Sequence, residues 1–144
     1  MIDDKTAPYA ALILRVTMGI MFLAHGFLKL FVFTPAGTAQ FFQSIGLPGW
    51  FGEFVMVGEI AGGMALVAGF YARYIALLFI PDLLGAIYFV HGANGWGFGN
   101  KGGGWEYPAF WAVALLVLYL LGDGPYALRK SECNCGRKRG EPAA

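Results

Sequence analysis

The side chains able to do chemistry in this chain are a few ionisable groups set inside apolar runs. Glu59 stands in the glycine-rich stretch VMVGEIAGGMALVAGFYARY, residues 55–74. A carboxylate at membrane depth is expensive, so it needs a partner or a purpose. Lys29 and His25 are four residues apart and therefore share one helical face. Both run at depths that Glu53 and Glu59 can reach from the next helix. Such a group can act as an interhelical salt bridge that fixes packing. It can equally handle protons and donate to the carbonyl of a quinone headgroup, as carboxylate and imidazole pairs do. The residues leave both readings open.

Two further groups extend the set. His91, Trp105 and Glu106 flank a loop rich in glycine and aromatics, residues 91–107. With His25, Lys29, Glu53 and Glu59 they make a candidate ligand-binding pocket beneath an aromatic mouth. An aromatic belt at the membrane interface is the competing reading of that loop. Arg15 and Asp82 are expected to form a structural ion pair between helices. No metal is expected, because neither H-x-x-H nor E-x-x-H spacing occurs. The loop is not a phosphate cradle, since Lys101 precedes its glycine run. No catalytic residue is identified.

These residues need elements to position them, and composition says which. The 144 residues are 58% hydrophobic and 13% charged, against about 25% charged in soluble domains. That balance is a membrane signature. Four spans are expected, at about 9–33, 51–70, 75–90 and 105–121. In the first, Arg15, Met18, Phe22, His25 and Lys29 follow steps of three and four and form one stripe. Between the first two spans, residues 36–45 are expected as a short interfacial helix with Phe41, Phe42 and Ile45 turned inward. In the second span, Gly58 and Gly62 make a G-x-x-x-G, which lets helices approach closely in lipid. Pro81, beside Asp82 in the third span, predicts a kink.

The fold class is thus all-α, an integral membrane four-helix bundle. It has an interfacial segment after helix 1 and the glycine- and aromatic-rich loop before helix 4. Residues 1–125 form the bundle domain, and 126–144 a basic, disordered cytoplasmic tail. An even number of spans puts both termini on one side. Arg73 and the cluster Arg129, Lys130, Arg137, Lys138 and Arg139 make that side cytoplasmic, with Lys101 a small counter-example. The first segment is read as a span rather than a cleavable leader, because it is long and contains Arg15. Cys133 and Cys135 form a single C-x-C in the tail, too few thiols for a tetrahedral zinc site. The expected partners are the lipid bilayer and a membrane or periplasmic redox subunit. Nucleic acid is not expected, and a homo-oligomer is compatible with the glycine faces.

The motifs resemble the DoxX family. The resemblance rests on Arg15, Gly19, His25-Gly26-x-x-Lys29-Leu30 and Gly46-Leu47-Pro48. It continues with Glu59-x-x-Gly62-Gly63-x-x-Leu66-x-x-Gly69-x-x-x-Arg73 and Gly103-Gly104-Trp105-Glu106-Tyr107. It covers residues 9–125 and leaves the C-x-C outside. It implies a four-helix protein of the bacterial inner membrane, in a family associated with quinone-linked thiosulfate oxidation. Arg15, Lys29, Glu59 and Glu106 match the family pattern, which assigns them no roles. The resulting expectation is an accessory or quinone-interacting subunit of a membrane oxidoreductase. The alternatives are a scaffold subunit without a ligand and, third, a small carrier.

Overall fold

A chain in lipid must satisfy its backbone polar groups internally, and long helices do so. The computed structural model describes residues 3–131. It contains α1 (Ala7–Phe27), α2 (Thr34–Ser44), α3 (Gly49–Ala68), α4 (Ala72–Ala86) and α5 (Glu106–Leu121). No strand element forms among the described residues, so the all-α class stands.

Local chemistry sets the helix ends. At the start of α1 the Asp3 carbonyl accepts the Thr6 and Ala7 N–H groups. The Asp3 carboxylate accepts the Lys5 N–H at 2.9 Å, which holds it below the usual carboxylate range. α1 runs into a π-helical turn, Leu28–Val32. Thr34 then takes a φ of 61°, rare for a β-branched residue, and the chain changes direction. Its hydroxyl accepts the Gly37 N–H at 3.2 Å and caps α2. α3 starts after Pro48 and stops at Gly69, whose φ of 74° is the left-handed cap that glycine supplies cheaply. α4 passes through Pro81 as continuous α-helix, and its departure from α spacing comes later, in the π turn Ile87–His91. α1 with its π turn, α3, and α4 with its extension are each long and apolar enough to cross a membrane. α5 has 16 residues, about 24 Å of helix, and is shorter than the hydrocarbon core.

The long helices run up and down. Gly19 meets Gly63 and Val67, whereas Gly26 meets Ile60 and Glu59, so α1 and α3 are antiparallel. A Cβ on Gly19 would lie 2.8 Å from the Gly63 carbonyl oxygen, so these backbones touch through glycine. The expected pairing through Gly58 is corrected here. Gly58 faces open space, and Gly62 lies under the Phe79 ring of α4. Phe22 stacks on Phe79 at 3.8 Å between centroids and meets Trp111 of α5 at 4.6 Å. Leu66, Leu115 and Leu118 complete a fully buried core.

Two other expectations change. In α2, Phe41 is exposed, and Thr38 is the buried residue. Phe42 packs over Gly52, so α2 lies on α3 through Thr38 and Phe42. The expected tail also begins too early. Leu128 and Arg129 donate backbone N–H groups to the Ala68 and Gly69 carbonyls, and Tyr71 donates to the Arg129 carbonyl. Residues 126–131 therefore dock on the α3–α4 turn. The remainder of the tail, with Cys133 and Cys135, lies outside the described residues.

Candidate functional site

The close approach of α1 and α3 at Gly26 brings Lys29 to Glu59. A Cβ on Gly26 would sit 3.1 Å from the Ile60 nitrogen and 3.3 Å from the Glu59 Cβ, so only glycine lets the helices meet at this level. Lys29 lies in the π turn that ends the first helix, and such turns recur at functional sites. Its Nζ donates to both Glu59 oxygens, at 2.8 and 2.7 Å. The side chains are 19% and 7% exposed, so the pair is largely withdrawn from its surroundings. Asp82 of α4 feels the charges of Lys29 and His25, and Glu59 feels Asp82. One ammonium and one imidazole thus share a field with two carboxylates.

His25 has a defined tautomer. Its Nδ1 is 2.9 Å from the Met21 carbonyl oxygen, which can only accept. Nδ1 therefore carries the proton in the neutral ring, and Nε2 is left as an acceptor. The His25 ring lies 5.0 Å from that of Trp111. Trp111 is 3% exposed, and its Nε1 is buried with no hydrogen-bond partner. An indole N–H held this way is a donor lacking its acceptor. Nearby, the Tyr107 hydroxyl donates toward the Met21 sulfur at 3.9 Å.

The other candidate residues stand elsewhere. Glu53 is exposed near the start of α3. It is six residues before Glu59, about 240° around the helix, so the two carboxylates point different ways. His91 Nδ1 is 2.9 Å from the Gly103 carbonyl oxygen. Exposed Glu106 accepts the Phe98 N–H at 3.2 Å, and Trp105 packs edge-on against Trp96 at 4.5 Å. These residues tie the loop to itself. The Gly95, Trp96 and Gly97 carbonyls accept N–H groups from Trp105, Glu106 and Gly104, which caps the start of α5. A Cβ on Gly104 would collide with those same carbonyls.

The expected Arg15–Asp82 pair is corrected. Arg15 is 1% exposed, and its Nη1 donates to the Asp123 backbone carbonyl at 3.0 Å. Asp82 stands at the level of His25, ten residues and about 15 Å along the helix from Arg15, beyond side-chain reach. Around Asp123 a clasp joins α4 and α5. The Asp123 carboxylate accepts the Arg73 N–H at 2.8 Å, capping α4, and also both the N–H and the hydroxyl of Ser131. Arg73 in return donates through Nε to the Tyr119 carbonyl at 2.7 Å, near the end of α5. Sequence reasoning missed Asp123, Ser131 and Trp111. A carboxylate between Gly122 and Gly124, on the same side as Arg15 and Arg73, was the available signal for Asp123. Among the described residues, no group of three or more His, Cys, Asp or Glu side chains gathers as a metal site.

The comparisons agree with this architecture. The sequence model of the DoxX family matches residues 10–92. The Bacillus subtilis protein named "Putative oxidoreductase CatD" is 38% identical over 84 residues, which are 58% of this chain and 61% of that one. The Escherichia coli protein "Inner membrane protein YqjF" is 34% identical over 73 residues, 51% of this chain and 55% of its own. "Inner membrane protein YphA" of Escherichia coli is 31% identical over 128 residues, 84% of this chain and 89% of its own. The first two matches therefore span little more than half of those relatives. No solved structure matches the chain significantly. The matched region carries α1, α2, α3 and α4, with Lys29, Glu59, His25 and Asp82 inside it, and the chain belongs to the DoxX family of membrane proteins.

Proposed function

We propose that the Lys29 cluster is a proton-handling site for a quinone headgroup. The chain then serves as an accessory or quinone-interacting subunit of a membrane oxidoreductase system. The observation that carries this reading is Lys29 bonded to both oxygens of buried Glu59, one turn after His25, whose ring lies against Trp111 with its unpartnered N–H. Structural ion pairs in lipid tend toward neutrality, with one cation for each anion. Here a second carboxylate and a histidine with a free acceptor nitrogen accompany the pair.

The donor set suits a quinone carbonyl. The Trp111 N–H and the Lys29 ammonium would hold the oxygen, and Glu59, Asp82 and His25 would take or give protons. A bound quinone would supply two-electron, two-proton redox chemistry. His25 keeps its orientation through Met21, so its Nε2 faces proton exchange without a tautomer change. The name of the Bacillus subtilis relative supports a redox setting, and those of the Escherichia coli relatives support the bacterial inner membrane. The family resemblance points to a sulfur compound as the reductant. The basic end of the bundle then faces the cytoplasm, with both termini.

Purification from native membranes in mild detergent tests this. Copurifying polypeptides and extracted lipids are identified by mass spectrometry. A redox subunit and stoichiometric quinone are expected, with quinone lost in Glu59→Gln. A lone protein with neither would refute the assignment. A scaffold role is the second reading, favoured by the bidentate closure of Lys29 on Glu59. Loss of a partner complex in Glu59→Leu, without any quinone in the wild type, would decide for it.

A further inference from the structure

We propose that the opposite end of the bundle binds the phosphate headgroup of an anionic phospholipid, between the α3–α4 turn and residues 126–131. The segment that docks there presents two cations at fixed positions. Backbone hydrogen bonds pin Leu128, Arg129 and Tyr71, and Ser131 is anchored on Asp123. Arg129 and Lys130 are thus held on both sides, and neither forms an ion pair among the described residues. The Arg129 guanidinium lies over the Tyr71 ring at 5.1 Å, and the residue as a whole is exposed.

A cleft of about 320 Å³ opens here, lined by Tyr71, Tyr74, Arg129 and Lys130. Lys130 also lines a neighbouring cleft of about 230 Å³, with Arg73, Asp123 and Ser131. In that second cleft Arg73 serves the α5 carbonyls, and Asp123 serves the Arg73 and Ser131 N–H groups. The cations lining the first cleft are therefore Arg129 and Lys130, alongside Tyr71 and Tyr74. A planar guanidinium beside an ammonium is a phosphate-binding set.

The surroundings choose a lipid over a soluble anion. Phe70, Tyr74, Tyr126 and Leu128 are 46%, 50%, 79% and 79% exposed around the cleft. Aromatic and aliphatic side chains standing out at the ends of membrane helices lie at headgroup level. A phosphodiester there meets the cations while its acyl chains follow the apolar side chains.

The test uses the full chain in mild detergent, offered phosphatidylglycerol, phosphatidylcholine or inorganic phosphate, with retention read by native mass spectrometry. Two basic residues predict a preference of roughly thirtyfold for phosphatidylglycerol over phosphatidylcholine. In R129Q/K130Q that preference should vanish, while the exposed positions leave the melting temperature unchanged. Equal retention of both lipids by the wild type would overturn the proposal, whatever the variant does. So would full retention of phosphatidylglycerol by the double variant. Displacement of the lipid by millimolar inorganic phosphate would assign the cleft to a soluble anion and overturn the lipid source.

Discussion

Replacing Lys29 by methionine is the most informative perturbation of the buried cluster. Lys29 bonds both oxygens of Glu59, and its charge also reaches Asp82. Lys29→Met therefore strands the Glu59 carboxylate and takes a cation from the field of Asp82, whereas Glu59→Leu leaves Lys29 within the field of Asp82. Breaking one side of a buried pair costs about 3–5 kcal/mol. The 19% exposure of the Lys29 side chain places K29M at the lower end, about 3 kcal/mol. E59L should cost about half of that, roughly 1–2 kcal/mol. At about 3 °C per kcal/mol for a chain of this size, K29M should melt about 9 °C lower and E59L about 3–6 °C lower. The double variant removes both charges of the pair and should recover at least about 2 kcal/mol relative to the sum. Thermal unfolding of the detergent-purified proteins, followed by circular dichroism, measures all four corners of the cycle. Additivity within about 0.5 kcal/mol would show that the pair is not coupled. A larger loss for E59L than for K29M would refute the idea that the Asp82 charge compensates Lys29 once Glu59 is gone.

Other perturbations probe the scaffold. Gly63→Val should lower the melting temperature strongly, because a Cβ would stand 2.9 Å from the Gly19 carbonyl oxygen; the overpacking cost is about 1–3 kcal/mol or more. Gly58→Ala should be neutral or stabilising by up to about 1 kcal/mol, since that position faces open space; destabilisation there would contradict the observed α1–α3 contact. Asp123→Ala removes the α4 cap and the anchor of Ser131. It should cost about 1–2 kcal/mol and speed tryptic cleavage after Arg129 and Lys130, as limited proteolysis would show. Gly104→Ala should open the loop before α5, read as faster proteolysis at Lys101 with little change in helix content.

The span-forming helices were legible because lipid imposes a strong constraint. Long apolar runs with internal hydrogen bonding leave few alternatives, so the helical regions can be read from hydropathy alone. The stripe of Arg15, Met18, Phe22, His25 and Lys29 in α1 was legible for the same reason, since helical period places those residues together. That Lys29 and Glu59 could meet was an inference from depth, and one-dimensional depth is what a sequence of spans provides. Azimuth is not. Glu53 shares the end of the bundle with the cluster yet faces away, and Gly58, expected with Gly62 at the helix contact, faces open space while Gly63 meets Gly19.

The sequence by itself determined that the chain is helical, lies in a membrane and carries ionisable groups there that need partners. Which partners they have was decided by tertiary packing. Arg15 takes a backbone carbonyl at Asp123, Lys29 closes on Glu59, and Asp123 clasps two helices. The reason is physical. Helix formation and lipid burial depend on local composition, whereas pairing depends on the rotation of each helix and on its level against its neighbours. Glycine contacts between α1 and α3 set that rotation and level, together with the Phe22, Phe79 and Trp111 stack and the return of residues 126–131. Each joins residues far apart in the chain, and no local pattern records them.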